Sequence, residues 1–106
     1  MIKARMYWDR LRLEVEGHAG YDIIGRDIIC AAVSMLTGAL AGVLEDAQTR
    51  GRTTFDYTDK DGQMKIWADP SMGSLQEVKA YFRMCVKGMR MLAEQDPKNG
   101  EIREVM

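Results

Sequence analysis

Two residues carry the chemistry that this chain could do. His18 is its only histidine, and Cys30 follows twelve positions later. The run from Asp27 reads as a helix, so Cys30 is expected in a first helical turn, where unpaired N–H groups and aligned peptide dipoles favour thiolate over thiol. Those N–H groups could also hold an oxyanion developing on an attacked carbonyl. An imidazole in reach would take the thiol proton and later return it to a leaving amine, the two proton transfers of acyl transfer. Asp27 stands just ahead of the cysteine, either as the helix N-cap or as a third member orienting the imidazole.

Residue types alone leave other readings open. A cysteine on an Ala-rich helix is more commonly a small core hydrophobe than a nucleophile, and a lone histidine after a strand is more commonly a surface group. Gly17, Gly20 and Gly25 can be turn punctuation only. Cys85 lies on an apolar stripe at helical spacing and reads as core. One histidine and two distant cysteines show no metal-ligand spacing, so no metal is expected. The nine methionines, several of them between Met84 and Met91, can fill a core or line a peptide groove.

The elements that must position these groups follow from periodicity. Residues 2–7 and 11–16 alternate and flank Trp8-Asp9-Arg10, a hairpin in which Leu11, Leu13 and Val15 share the buried face. Residues 17–26 read as a glycine-rich loop. Residues 27–50 form a long helix, stopped before Gly51 and apolar nearly all round until Glu45. Such a helix must be buried on more than one side, in a core or at a subunit interface, and Ala31, Gly38, Ala41 and Gly42 permit close packing. Residues 53–58 and 63–68 flank Asp59-Lys60-Asp61-Gly62 as a second hairpin, with Phe55, Tyr57, Met64, Ile66 and Ala68 facing inward. Ser74 and Glu77 form a capping box ahead of a helix whose stripe runs through Leu75, Val78, Phe82, Cys85, Met89 and Leu92 up to Pro97. Residues 101–105 form a last short strand. The expected class is α/β or α+β, one domain over residues 1–106, with two helices on a mostly antiparallel sheet of four to five strands.

Composition narrows the partners. Fifteen basic against sixteen acidic residues and no Lys/Arg cluster argue against direct nucleic-acid binding. No signal peptide and no bilayer-spanning run is read, which places the chain in the cytoplasm with its two thiols reduced. A domain this small has modest stability in reserve, and a second subunit would add to it.

The segment GHAGYDIIGRDIICAAVSMLTGAL resembles the signature of the ribosomal-processing cysteine protease (Prp) family: a Gly-His-Ala-Gly loop, a later glycine, then Asp-Ile-Val/Ile-Cys-Ala-Ala-Val-Ser. The likeness is specific across residues 17–36. It implies that His18 and Cys30 form a catalytic dyad and that Asp27 and Ser34 occupy the family's aspartate and serine positions. Gly17, Gly20, Gly25 and Ser34 are then expected against the substrate. It further implies a homodimer with helices on a sheet, an endopeptidase needing no metal or organic cofactor, and a glycine loop that moves to admit the peptide. The implied substrate is the N-terminal extension of a large-subunit ribosomal protein (number twenty-seven), cut after an aromatic pair and before a small residue. Asp22-Ile23-Ile24 is an apolar departure that bears on substrate fit. Two other functions fit the same fold: a noncatalytic dimeric module binding a peptide or the ribosome, and a prophage peptidase trimming a phage structural protein.

Overall fold

The structure, a computed structural model, describes residues 1–17 and 24–106, with the backbone alone for residues 24–27. Alternating sequence in the first hairpin gives β1 (Ile2–Tyr7) and β2 (Arg12–Glu16), paired antiparallel with Ala4 opposite Val15 and Met6 opposite Leu13. The second hairpin is β3 (Thr53–Lys60) and β4 (Gln63–Pro70). Its strands run longer than the sequence pattern indicated, because Asp61 (φ 55°) and Gly62 (φ 75°) close it as a tight two-residue turn, a geometry that Asp-Gly suits. The C-terminal segment forms β5 (Gly100–Val105), parallel to β1. One mixed sheet results, ordered β3-β4-β2-β1-β5.

Both helices, α1 (Ile24–Thr49) and α2 (Leu75–Gln95), lie in one layer over this sheet. Ile2, Ala4, Met6, Leu13, Val15, Met64, Ile66 and Ala68 meet Val33, Leu40 and Leu44 of α1 and Val78, Phe82 and Met89 of α2 in one buried cluster. The opposite sheet face is charged. There Arg5 pairs with Glu14 and Glu16 at 3.8 and 3.7 Å, and Arg12 lies 2.8 Å from Glu14 and over the Trp67 ring. The alternation read from β1, β2 and β4 is thus the two-layer architecture itself.

Several local expectations are corrected. The helix starts at Ile24, so Gly25 and Arg26 belong to it and Asp27 is its fourth residue instead of its N-cap. A single helical glycine costs only about 1 kcal/mol, too little to stop a helix this long. Ser74 caps α2 with no side-chain hydrogen bond, since its backbone (φ −108°, ψ 6°) is not extended. The Glu77 carboxylate accepts instead from the Tyr81 hydroxyl and, at 3.4 Å, from Arg50. Tyr57 is 51 % exposed although it pairs with buried Ile66, because β3 is an edge strand.

The reason lies in the path of α1, which crosses the sheet obliquely. Near its start Ile29 and Val33 adjoin Ile2 and Ala4 of β1. Near its end the Gln48 side chain accepts from the Phe55 amide of β3 at 3.1 Å. The later half of β3 is therefore left uncovered. Contrary to the sequence reading, Ile28–Thr49 is long and apolar enough to cross a membrane, and one third of it is buried. Among the described residues α1 is buried on one side only. Ile28 (65 %), Met35 (72 %) and Val43 stand exposed on its outer face.

Candidate active site

Cys30 is the seventh residue of α1 and 8 % exposed, flanked by buried Ile29 and Val33. Only the first four amides of an α-helix lack an internal acceptor, and the dipole effect fades within the first turn. Starting the helix at Ile24 puts Cys30 about 9 Å along the axis from its end, at 1.5 Å per residue. The helix terminus therefore lies farther from Cys30 than it would from a first-turn cysteine. Helical side chains tilt toward the N-terminus, which carries the Cys30 thiol back over the turn that contains Asp27. Ser34, one turn on, is exposed, and its carbonyl accepts from the Thr37 hydroxyl at 3.2 Å.

At the same end of the sheet stands Gly17, the last described residue before His18. Its φ is +78°, and a Cβ built on it would lie 2.4 Å from the Met1 carbonyl oxygen. Its N–H donates to the Gly62 carbonyl at 3.1 Å. The start of β1, the end of β2 and the β3–β4 turn therefore meet where the histidine segment departs. His18 and Gly20 lie outside the described residues, as does the Asp22-Ile23 departure. Gly25 lies in α1 and not in a loop. The sequence reading gave Met1 and Gly62 no part in this site, and only the Asp-Gly turn signal could have drawn attention to the second.

Cys85 is a different kind of thiol. It is 3 % exposed on the inner face of α2, its Sγ 3.7 Å from the Leu36 carbonyl. Burial pushes its pKa up to about 12, so it stays protonated and unreactive at neutral pH. The core reading of this cysteine stands. On the outer side of the helical layer, Leu36, Ala39, Leu40, Val43, Tyr81 and Met84 line an almost wholly apolar groove of about 290 Å³.

The family description "Cysteine protease Prp" matches residues 1–101. Among solved structures, SMU.848 from Streptococcus mutans is similar at TM-score 0.73 and 25 % identity, over 99 % of this chain and 94 % of that one. The essential ribosomal processing protease Prp from S. aureus in complex with a substrate peptide is similar at TM-score 0.77 and 17 % identity, over 99 % and 100 %. The same protease with a covalently linked product peptide gives 0.69 and 19 %, with the same coverage. No curated protein matches by sequence. The two S. aureus likenesses speak for the fold: two helices on a five-stranded mixed sheet.

Proposed function

This chain belongs to the Prp family of cysteine proteases, and from that premise we propose that Cys30 is its nucleophile and His18 its base. The observation that carries this reading is the pairing of a match to a cysteine protease family with one cysteine, Cys30, near the start of α1, at the sheet end where the histidine segment leaves Gly17. The other thiol is held protonated in the core. In the reaction His18 takes the Cys30 proton, the sulfur bonds to the scissile carbonyl carbon, and the C–N bond breaks as the proton passes to the leaving amine. Water then releases the acyl group. Asp27, in the first turn, orients His18, while Gly17, Gly20, Gly25 and Ser34 contact the peptide.

The proposed substrate is the short N-terminal extension of a bacterial large-subunit ribosomal protein (number twenty-seven), met in the cytoplasm. Support comes from the S. aureus relative, described as a ribosomal processing protease and seen with substrate and product peptides. The working unit is a homodimer joined through the outer face of α1, where Ile28, Met35 and Val43 are exposed and Gly38 and Gly42 leave open space. The decisive experiment is incubation of the enzyme with the extended ribosomal protein from the same genome, followed by intact-mass measurement. Loss of the extension, absent with Cys30→Ala, is the expected result. An uncut protein that nonetheless binds would replace the peptidase reading with a binding module.

A further inference from the structure

We infer that the Gln48 and Asp56 side chains close the β3 edge of the sheet, occupying backbone amides that would otherwise pair with the same strand of a second copy of this chain. The inference is independent of the peptidase assignment. Among the described residues β3 is a terminal strand of the sheet, and a terminal strand presents unpaired N–H and C=O groups to any extended chain. Its sequence, TTFDYTDK, makes that edge a hazard: apart from Asp56, the first six residues are Thr, Phe and Tyr, types that favour strands. Tyr57 stands 51 % exposed, where α1 leaves the strand uncovered.

The ladder fixes which amides face out. The Ser71 amide donates to the Arg52 carbonyl at 2.9 Å, one residue beyond the pair of Thr53 with Pro70. Bonded and unbonded pairs alternate along an antiparallel ladder. The even-numbered residues of β3 therefore bond to β4, and Thr53, Phe55, Tyr57 and Asp59 turn their amides to the free edge. Thr53 is buried, and Asp59 lies one pair short of the turn, which leaves Phe55 and Tyr57 at the accessible centre. Both are already taken. The Phe55 amide donates to Gln48 Oε1 of α1 at 3.1 Å, and the Tyr57 amide to Asp56 Oδ1 at 2.8 Å. An incoming strand has to displace both acceptors before its own carbonyls reach these amides.

Gln48 and Asp56 are both exposed, so replacing them leaves the core intact. Amide hydrogen exchange in dilute solution and sedimentation over a range of concentrations are compared in wild type, Gln48→Ala, Asp56→Ala, Asp56→Asn and the alanine pair, with and without Tyr57→Pro. Gln48→Ala is expected to speed exchange at Phe55 about tenfold and Asp56→Ala to do the same at Tyr57, each leaving the other amide unchanged. Asp56→Asn keeps a side-chain carbonyl and is expected to exchange as wild type. The alanine pair is expected to sediment as species larger than wild type that grow with concentration. Tyr57→Pro is expected to return it to the wild-type coefficient, because proline offers no N–H at the free edge and breaks no bond to β4. That rescue separates edge pairing from a loss of stability, which proline would not repair.

Wild-type exchange at Phe55 and Tyr57 in the alanine variants overturns the inference, as does wild-type sedimentation of the folded alanine pair. Association that persists with Tyr57→Pro overturns it equally, since the contact then lies elsewhere. If Asp56→Asn behaves as Asp56→Ala, the charge and not the occupied amide is the guard, and the inference falls. Should the alanine pair not fold, Asp56→Ala alone is read by the same outcomes at Tyr57.

Discussion

Of two buried cysteines, Cys30 is the proposed nucleophile and Cys85 a core residue. Cys30→Ala should fold and lose cleavage, because alanine suits a helix and removes only the nucleophile; Cys30→Ser should be nearly as inactive, its hydroxyl being far less acidic. Cys85→Ala should cost about 1 kcal/mol as a small cavity and keep turnover. Intact-mass kinetics with urea unfolding checks all three. Cys85 also makes a pH prediction. Its folded pKa is raised from 9.0 to about 12 by burial, so the folded state holds the proton that the unfolded chain releases. Its contribution is fully present below pH 9 and is lost as the pH rises toward 12, at up to about 1.4 kcal/mol per pH unit. Between pH 9 and 11 wild type should lose more stability than Cys85→Ala, and parallel curves would remove the burial argument.

At the scale of the element, the earlier start of α1 changes what Asp27 does. A first-turn carboxylate interacts with the helix dipole for about 0.3–1 kcal/mol, whereas loss of a capping side chain costs about 0.5–2 kcal/mol. Asp27→Asn should therefore unfold within about 1 kcal/mol of wild type, and a large fall in kcat at that stability would assign its charge to His18. The contact between helices offers a second test. A Cβ on Gly88 of α2 would lie 2.6 and 2.9 Å from the two Leu36 methyl carbons of α1. Gly88→Ala should cost about 1–3 kcal/mol by overpacking. In a Leu36→Ala background the clash is gone, and the same change should be neutral or gain about 0.5–1 kcal/mol from helix propensity. Additive effects in that double-mutant cycle would contradict the contact.

For the molecule as a whole, the outer surface of the helical layer is its least ordinary feature. Exposed Ile28, Met35 and Val43 lie along α1, a 22-residue apolar stretch that at 1.5 Å per residue spans about 33 Å, and Val43 and Met84 line the apolar groove beside it. Contiguous apolar surface of this kind marks an association site. A two-fold axis would bring the same face of a second copy against it, protruding methionines toward groove. Met35→Glu should convert a dimer to a monomer in sedimentation, with unchanged circular dichroism. Wild type sedimenting as a single chain at micromolar concentration would end the dimer proposal.

Much of this protein is decided by local pattern. Alternation in residues 2–7, 12–16 and 63–68 dictates strands with one buried face, because side chains on a strand repeat every two residues. The stripe through Val78, Phe82, Cys85 and Met89 dictates α2 and its inner face. The Gly-His-Ala-Gly and Asp-Ile-Ile-Cys-Ala-Ala runs single out His18 and Cys30, since a motif is a local property of the chain. Tertiary structure decided what depends on partners distant in sequence. The oblique path of α1 left Tyr57 exposed and, among the described residues, turned an all-round apolar helix into one with Ile28, Met35 and Val43 exposed on its outer face. Gly88, not Gly38 or Gly42, lets the helices of this chain approach each other. The start of α1 at Ile24 moved Cys30 away from the helix terminus, because one glycine costs too little to end a long helix packed on a sheet. Gly17 became a junction for the same reason: the carbonyls of Met1 and Gly62 reach it only once β1, β2 and the second hairpin have come together, and no local pattern encodes a contact between residues 45 positions apart.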